Sequence, residues 1–219
     1  MDLLEAINMR HSVRNYTDRK MDSAAEKELR DLIKQYNKAT GLNIQLFTKE
    51  PQAFGGMMAH YGKFSGCTDY IALVGKKGAD EQCGYYGEKL VLRAQQLGLN
   101  SCWVAMTYSK SKTPCVINKG EKLHIVIALG YGETQGIPHK SKSVTQLCNV
   151  DGEMPKWFES GMNAALLAPT AMNQQKFIIS LTGNTVSAKA LFGFYSKIDL
   201  GIVKCHFEIG AGEENFRWE

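Results

Sequence analysis

The chain has 219 residues, 44% of them apolar, and a net charge of +4. That length and composition suit one compact domain, or two small lobes, with a sizeable buried interior. The modest and dispersed positive charge excludes the basic, aromatic-interleaved face of a nucleic-acid binder, and no run of about 18 apolar residues exists to span a membrane.

At the start of the chain Leu3, Leu4 and Ile7 share one side of a helical wheel, while Asp2, Glu5 and Asn8 fall elsewhere. The spacing predicts a short amphipathic helix. Charges this early leave no secretory leader, so the cytoplasm is the expected compartment. The helix runs into Met9-Arg10-His11-Ser12-Val13-Arg14-Asn15-Tyr16, which gathers two guanidiniums, an imidazole and a hydroxyl. Read as the tail of that helix, Arg10 and Arg14 stand four apart and share a face, with the Ser12 hydroxyl at hand. Two readings fit the cluster. It is an anion grip, because planar guanidiniums bind phosphate oxygens through paired charge-assisted bonds, or it is a solvated basic helix end that complements the helix dipole.

A second helix is predicted over Ser23 to Lys38, where Leu29, Leu32, Ile33 and Tyr36 repeat at helical spacing and Gly41 can stop it. Asn43 to Thr48 alternates apolar and polar as a half-buried strand does. Pro51 to Gly66 is a Gly- and Met-rich loop or irregular helix, in which His60 and Lys63 are ligand contacts or ordinary surface residues. Asp69 to Gly75 reads as a buried strand, Glu81 to Leu97 as a helix ended by Gly98, and Leu99 to Ala105 as an extended segment with Trp103 in the core. A loop over Ser109 to Lys122 leads to a strand over Leu123 to Leu129, which ends at Gly130-Tyr131-Gly132. Pro138, Lys140 and Lys142 then sit in a polar connection without apolar period.

A second unit is expected from Asp151, dividing the chain into lobes 1–150 and 151–219. Pro155 suits a helix first turn, Phe158, Met162 and Ala165 share one face, and the helix stops before Pro169. Ala168-Pro169-Thr170-Ala171-Met172-Asn173-Gln174-Gln175 precedes a strand over Lys176 to Leu181 and a turn at Thr182-Gly183-Asn184. A last helix runs from Ser196 to Gly210 with Ile198, Ile202, Cys205 and Ile209 aligned. The order strand, connection, long helix thus occurs twice, a faint internal echo. The six cysteines, Cys67, Cys83, Cys102, Cys115, Cys148 and Cys205, lack metal-ligand spacing and read as reduced and structural.

Four of these segments, taken in order, resemble the FMN-dependent nitroreductase family, within it the subgroup that carries both halves of the flavin site on one chain. They are Met9 to Tyr16, Leu97-Gly98-Leu99-Asn100-Ser101-Cys102-Trp103-Val104, Ala128-Leu129-Gly130-Tyr131-Gly132 and Ala164 to Gln175. The resemblance implies an α+β, nitroreductase-like FMN-binding fold with a central, mostly antiparallel sheet flanked by helices. In the usual member the Ala-Pro-Ser/Thr-x-x-Asn-x-Gln segment closely follows the Arg-x-Ser-x-Arg segment, and two subunits share each flavin. Here it lies far downstream, which implies a single-chain pseudo-dimer, as a monomer or as a homodimer.

By the same resemblance Arg10, His11 and Ser12 hold the FMN phosphate and ribityl chain, joined by Lys140 and Lys142. Arg14 reaches the pyrimidine edge as the catalytic residue, and Lys63 and His60 meet the ring edge. The backbone of Val104 and Ala105 passes near N5, although Ala105 and Met106 stand where many relatives carry Glu-Gly or Gly. Pro169, Thr170, Ala171 and Asn173 line the flavin from the other lobe. The implied activity is that of an NAD(P)H-dependent oxidoreductase reducing nitroaromatic, quinone or similar flat acceptors by a ping-pong mechanism. A non-catalytic FMN-binding storage or sensing protein and a flavin-free phosphate-binding scaffold are the alternatives. With no Gly-rich dinucleotide fingerprint, the residues do not choose between NADH and NADPH, nor among acceptors.

Overall fold

Alternation along two central strands decides how the chain is layered. In the computed structural model, which describes residues 1–219, β2 (Asp69–Lys76) and β4 (Glu121–Gly130) pair antiparallel. β1 (Gln45–Phe47) flanks β2 and β3 (Asn100–Val104) flanks β4, giving the order β1-β2-β4-β3 with every pair antiparallel. Successive side chains of a strand point to opposite faces. Ile71, Leu73, Ile125, Ile127 and Leu129 therefore enter the main core, while Tyr70, Ala72, Val74, Val126 and Ala128 enter a second core with Phe54, Phe64 and Tyr108. Both faces of this sheet are thus dry, which is why its strands read as unbroken apolar runs.

The expected α+β class holds, but the strands are divided between two sheets. The second has the order β5-β6-β7-β8, built from β5 (Cys148–Val150), β6 (Phe177–Thr182), β7 (Thr185–Ala190) and β8 (Arg217–Trp218). β6 and β7 form an antiparallel hairpin, and the outer pairs are parallel. The sequence reading stopped at the turn beyond β6. β7 carries few apolar residues and becomes a strand only because Gly183, at φ 59°, folds it back onto β6.

Six helices surround and separate the sheets: α1 (Leu3–Met9), α2 (Ser23–Thr40), α3 (Met57–Tyr61), α4 (Asp80–Gln96), α5 (Lys156–Ala165) and α6 (Ser196–Ala211). α2 ends as its sequence requires, on Gly41 in the left-handed region at φ 74° with its N–H bonded to the Asn37 carbonyl. α4 and α6 cross in near backbone contact. A side chain on Gly84 would run into the Ile198 carbonyl, and one on Gly201 into the Glu81 carbonyl. The main core runs from the first sheet through α4, α5 and α6 to Phe177, Ile179 and Leu181 of the second. No helix is long and apolar enough to cross a membrane.

Two expectations about the N-terminus need correction. α1, started by a reciprocal cap between Asp2 and Glu5, buries Ala6 and Ile7 and leaves Leu3 and Leu4 exposed. It also stops at Met9, so Arg10 and Arg14 do not share a helical face. Arg10 is already extended, at φ −74° and ψ 114°, and Ser12 bridges Ser101 of β3 in parallel. Pairing with the sheet edge has overridden helix propagation.

The α4–α6 crossing yields a stability prediction. Gly201→Leu is expected to lower the free energy of unfolding by about 3 kcal/mol through overpacking, read as a fall in the urea midpoint. An unchanged midpoint would mean that the two backbones do not meet there.

Candidate functional site

A cavity of about 470 Å3 lies between two walls contributed by distant parts of the chain. The first wall is the extended segment Arg10 to Arg14 together with the end of β3. Three backbone anchors hold that segment across the sheet: the Val13 N–H donates to the Ser101 carbonyl (3.0 Å), the Tyr16 N–H to the Ser65 carbonyl (3.0 Å) and the Ser65 N–H to the Arg14 carbonyl (3.1 Å). Small residues let it lie close, since a side chain on Gly136 would strike His11 Cβ and the Ser12 carbonyl. The second wall is the turn Pro169 to Asn173 with the start of α6, including Tyr195, Ile198, Asp199 and Ile202.

Arg10 dominates the electrostatics of the first wall. Its side chain is 3% exposed, Nη2 lies 3.5 Å from the Leu167 carbonyl, and Nε stands 3.8 Å from Glu88 Oε1 without a hydrogen-bond acceptor. Burial lowers its pKa, and Glu88 opposes the fall. Glu88, wholly buried on α4, accepts from Trp103 Nε1 (2.9 Å) and faces His206 Nε2 of α6 (2.8 Å). His206 Nδ1 in turn faces the Ala164 carbonyl at 3.0 Å. A buried cation left short of acceptors is costly, and an anion in the cavity would relieve it. His11 is held below the usual imidazole range by burial, by Arg10 and by His139, so positive charge here comes chiefly from the two arginines.

The second wall is strained. Met172, Asn173 and Gln175 lie in the left-handed region at φ 51°, 52° and 47°, and Tyr195 joins them at 55°. Such residues cost roughly 1 kcal/mol or more each and persist only where surrounding bonds impose them. The bonds are present. Asp199 Oδ1 accepts the Ala171 N–H (3.0 Å) and Oδ2 accepts Gln174 Nε2 (2.9 Å). Asn173 Nδ2 donates to the Lys140 carbonyl (2.7 Å), and the Gln175 N–H donates to Thr170 Oγ1 (3.1 Å). Asp199 is 3% exposed, and burial pushes its carboxyl up to about 6 despite those two donors.

Of the residues expected from sequence, Arg10, His11, Ser12, Arg14, Val104, Ala105, Pro169, Thr170, Ala171 and Asn173 line this one cavity. His60, Lys63, Lys140 and Lys142 do not. α3 turns Ala59 inward and His60 out to solvent, and Phe64 rather than Lys63 reaches the cavity. Lys142 Nζ instead caps the carbonyls of Gln174 and Gln175, each at 3.1 Å, so the Lys140–Lys142 loop shapes the second wall from behind. Sequence reasoning missed Glu88, His139, Asp199 and His206. The available signal was a lone acid on the apolar face of α4, and an Asp and a His set in the apolar helix α6.

A cavity of this size, with guanidiniums and a hydroxyl on one side and apolar groups beside them, fits a flat ligand bearing an anionic group. A family model described as "Putative TM nitroreductase" matches residues 2–211. Among solved structures, a putative nitroreductase of Thermotoga maritima is 22% identical, with a TM-score of 0.69 over 98% of this chain and 85% of its own. A putative nitroreductase of Desulfovibrio desulfuricans, solved in complex with FMN, is 18% identical, with a TM-score of 0.53 over 71% of this chain and 99% of its own. A putative NADH dehydrogenase/NAD(P)H nitroreductase of Parabacteroides distasonis is 22% identical, with a TM-score of 0.50 over 66% of this chain and 95% of its own. A search of the curated proteins found no match.

Two outcomes test the electrostatics. Glu88→Leu strands the Arg10 cation and is expected to cost about 3–5 kcal/mol of stability; a loss below about 1 kcal/mol in urea denaturation would remove Glu88 from the support of Arg10. The raised carboxyl of Asp199 contributes stability that is fully present below its unfolded pKa, near 4, and is lost as pH rises through about 6. The stability of Asp199→Asn relative to the parent should therefore climb between pH 4 and pH 7, by on the order of 3 kcal/mol. A flat difference would show that the carboxyl is solvated.

Proposed function

This chain belongs to the nitroreductase family, and from that premise we propose that it is an FMN-dependent oxidoreductase in which NAD(P)H and a flat acceptor take turns at one flavin. The observation that carries the proposal is the joining of Arg10, Ser12 and Arg14 to Thr170 and Asn173 around a single cavity within one chain. The buried, incompletely compensated charge of Arg10 beside the cavity and the Desulfovibrio relative solved with FMN support the choice of ligand.

FMN, when bound, supplies the acceptance and donation of hydride. The residues do the rest. Arg10, His11 and Ser12 hold the phosphate and ribityl chain through charge-assisted and hydroxyl bonds. Arg14, the catalytic residue, sets a guanidinium at the pyrimidine edge, where positive charge favours the reduced cofactor. The backbone of Val104 and Ala105 meets the ring from the β3 side, and Pro169, Thr170, Ala171 and Asn173 confine it from the other. Neither a nucleophile nor a metal is needed from the chain. Nitroaromatics, quinones and similar planar oxidants are the proposed acceptors, because a flavin-floored slot selects for flatness and little else.

The segments 1–150 and 151–219 are proposed as the two halves of a pseudo-dimer, the second standing in for a partner subunit. Coverage supports this: the Desulfovibrio and Parabacteroides proteins match over nearly their whole length yet leave about a third of this chain unmatched. All six cysteines are unpaired, which suits the reducing cytoplasm proposed for it.

The purified protein should be yellow or become so with FMN, bind one FMN per chain, and bleach on anaerobic addition of NADH or NADPH. A protein that cannot be loaded with FMN sinks the reading, and a loaded one that neither nucleotide bleaches is a binder rather than an enzyme. Arg14→Ala should weaken FMN retention and slow reduction at least tenfold. Lys140→Ala, outside the cavity, should change either by less than threefold, and equally small effects of the two substitutions would remove Arg14 from the flavin site.

A further inference from the structure

Asp199 sits where a carboxylate is expensive and where no sequence motif asks for one. It is 3% exposed at the head of α6, facing the cavity, and both oxygens are committed to the second wall: Oδ1 to the Ala171 N–H and Oδ2 to Gln174 Nε2. Those donors bracket Met172 and Asn173, the left-handed residues that the turn presents to the cavity. The opposite side of the turn is held by the Lys140 carbonyl and by Lys142. Asp199 is thus the clamp on the α6 side, and an ionised carboxylate suits the task because it accepts from two donors at once and has no hydrogen to misdirect.

We propose that Asp199 is the positioning residue of the second wall, its ionised carboxylate holding the strained Thr170–Gln175 turn in the shape that receives FMN, so that cofactor retention follows the ionisation of this one group. The inference rests on the proposed binding of FMN and deepens it.

Protonation of Asp199 places a hydrogen opposite an N–H donor, one clamp bond is lost, and the turn relaxes away from its left-handed geometry. Burial carries the carboxyl to about 6, within reach of ordinary cellular pH, and the two clamp bonds are what pull it back down. The charged and titratable groups that share its cavity are Arg10, Arg14, His11, His139 and Tyr195, and Lys197 stands two residues before it in α6. Behind it on α4 stands Glu81, already paired with Lys204. The FMN phosphate also titrates in this range, and His11 and His139 line the same cavity. A comparison with Asp199→Asn cancels them, because both proteins share them.

The test is FMN affinity by quenching of flavin fluorescence from pH 5 to pH 7.5, for the parent and for Asp199→Asn. At pH 7.5 the variant should bind about tenfold more weakly, and the ratio of the two Kd values should fall towards one at pH 5. Gain of fold stability by the same variant at neutral pH would show that weaker binding is not unfolding. Gln174→Ala, which deletes one clamp donor but keeps the carboxyl, should weaken FMN and move the parent's transition to higher pH. FMN bound equally by parent and Asp199→Asn at every pH, a ratio that does not change with pH, or a Gln174→Ala transition that stays put would each overturn the proposal while leaving the cofactor assignment intact. Absence of FMN binding by the parent would overturn both.

Discussion

Everything about the cavity depends on how closely α4 and α6 approach. Where Gly84 meets Gly201 the two backbones touch, and no side chain separates them. That contact brings the face of α4 carrying Glu88 against the face of α6 carrying His206, and from the same two helices each wall is oriented. α4 reaches forward through Glu88 to Arg10 and Trp103; α6 reaches forward through Asp199 to the Ala171–Gln174 turn. A wider crossing would disengage both.

The walls solve opposite problems. The first presents charge, and the difficulty is keeping a guanidinium dry without neutralising it. Glu88 stands close enough to compensate Arg10 but too far for a full hydrogen bond, so the cation is only partly neutralised. The second presents shape, and the difficulty is holding several left-handed non-glycine residues in one short turn. It does so with a buried carboxylate whose own desolvation weakens the fold at neutral pH. Both walls therefore store unfavourable energy next to the ligand, the usual place for it in a site that sacrifices stability for function.

Joining both walls within one chain changes the physics of assembly. When two subunits share a flavin, the site exists only above the concentration at which they associate. Here the second wall is tethered, and closing a long loop costs only a few RT more than closing a short one. The continuous core from the first sheet to Phe177 and Phe207 supplies the apolar burial that an intersubunit interface would otherwise provide.

The sequence alone determined the boundaries of α2, β2, α4, β3, β4 and α6 to within a few residues, because periodicity and caps are local properties, while its resemblance to a family implied the α+β class and pointed to the segments Met9 to Tyr16, Leu97 to Val104 and Ala164 to Gln175 that line the cavity. It did not reveal that residues 10–16 are extended, since the Ser12–Ser101 bridge joins segments far apart in the chain, nor that β7 exists, since its only reason to be a strand is its partner. Glu88, Asp199 and His206 were written plainly in two helices, yet an acid or an imidazole on an apolar face acquires meaning only when the groups opposite it are known. Tertiary packing decided those roles, because a buried charge takes its function from its neighbours rather than from its position in the chain.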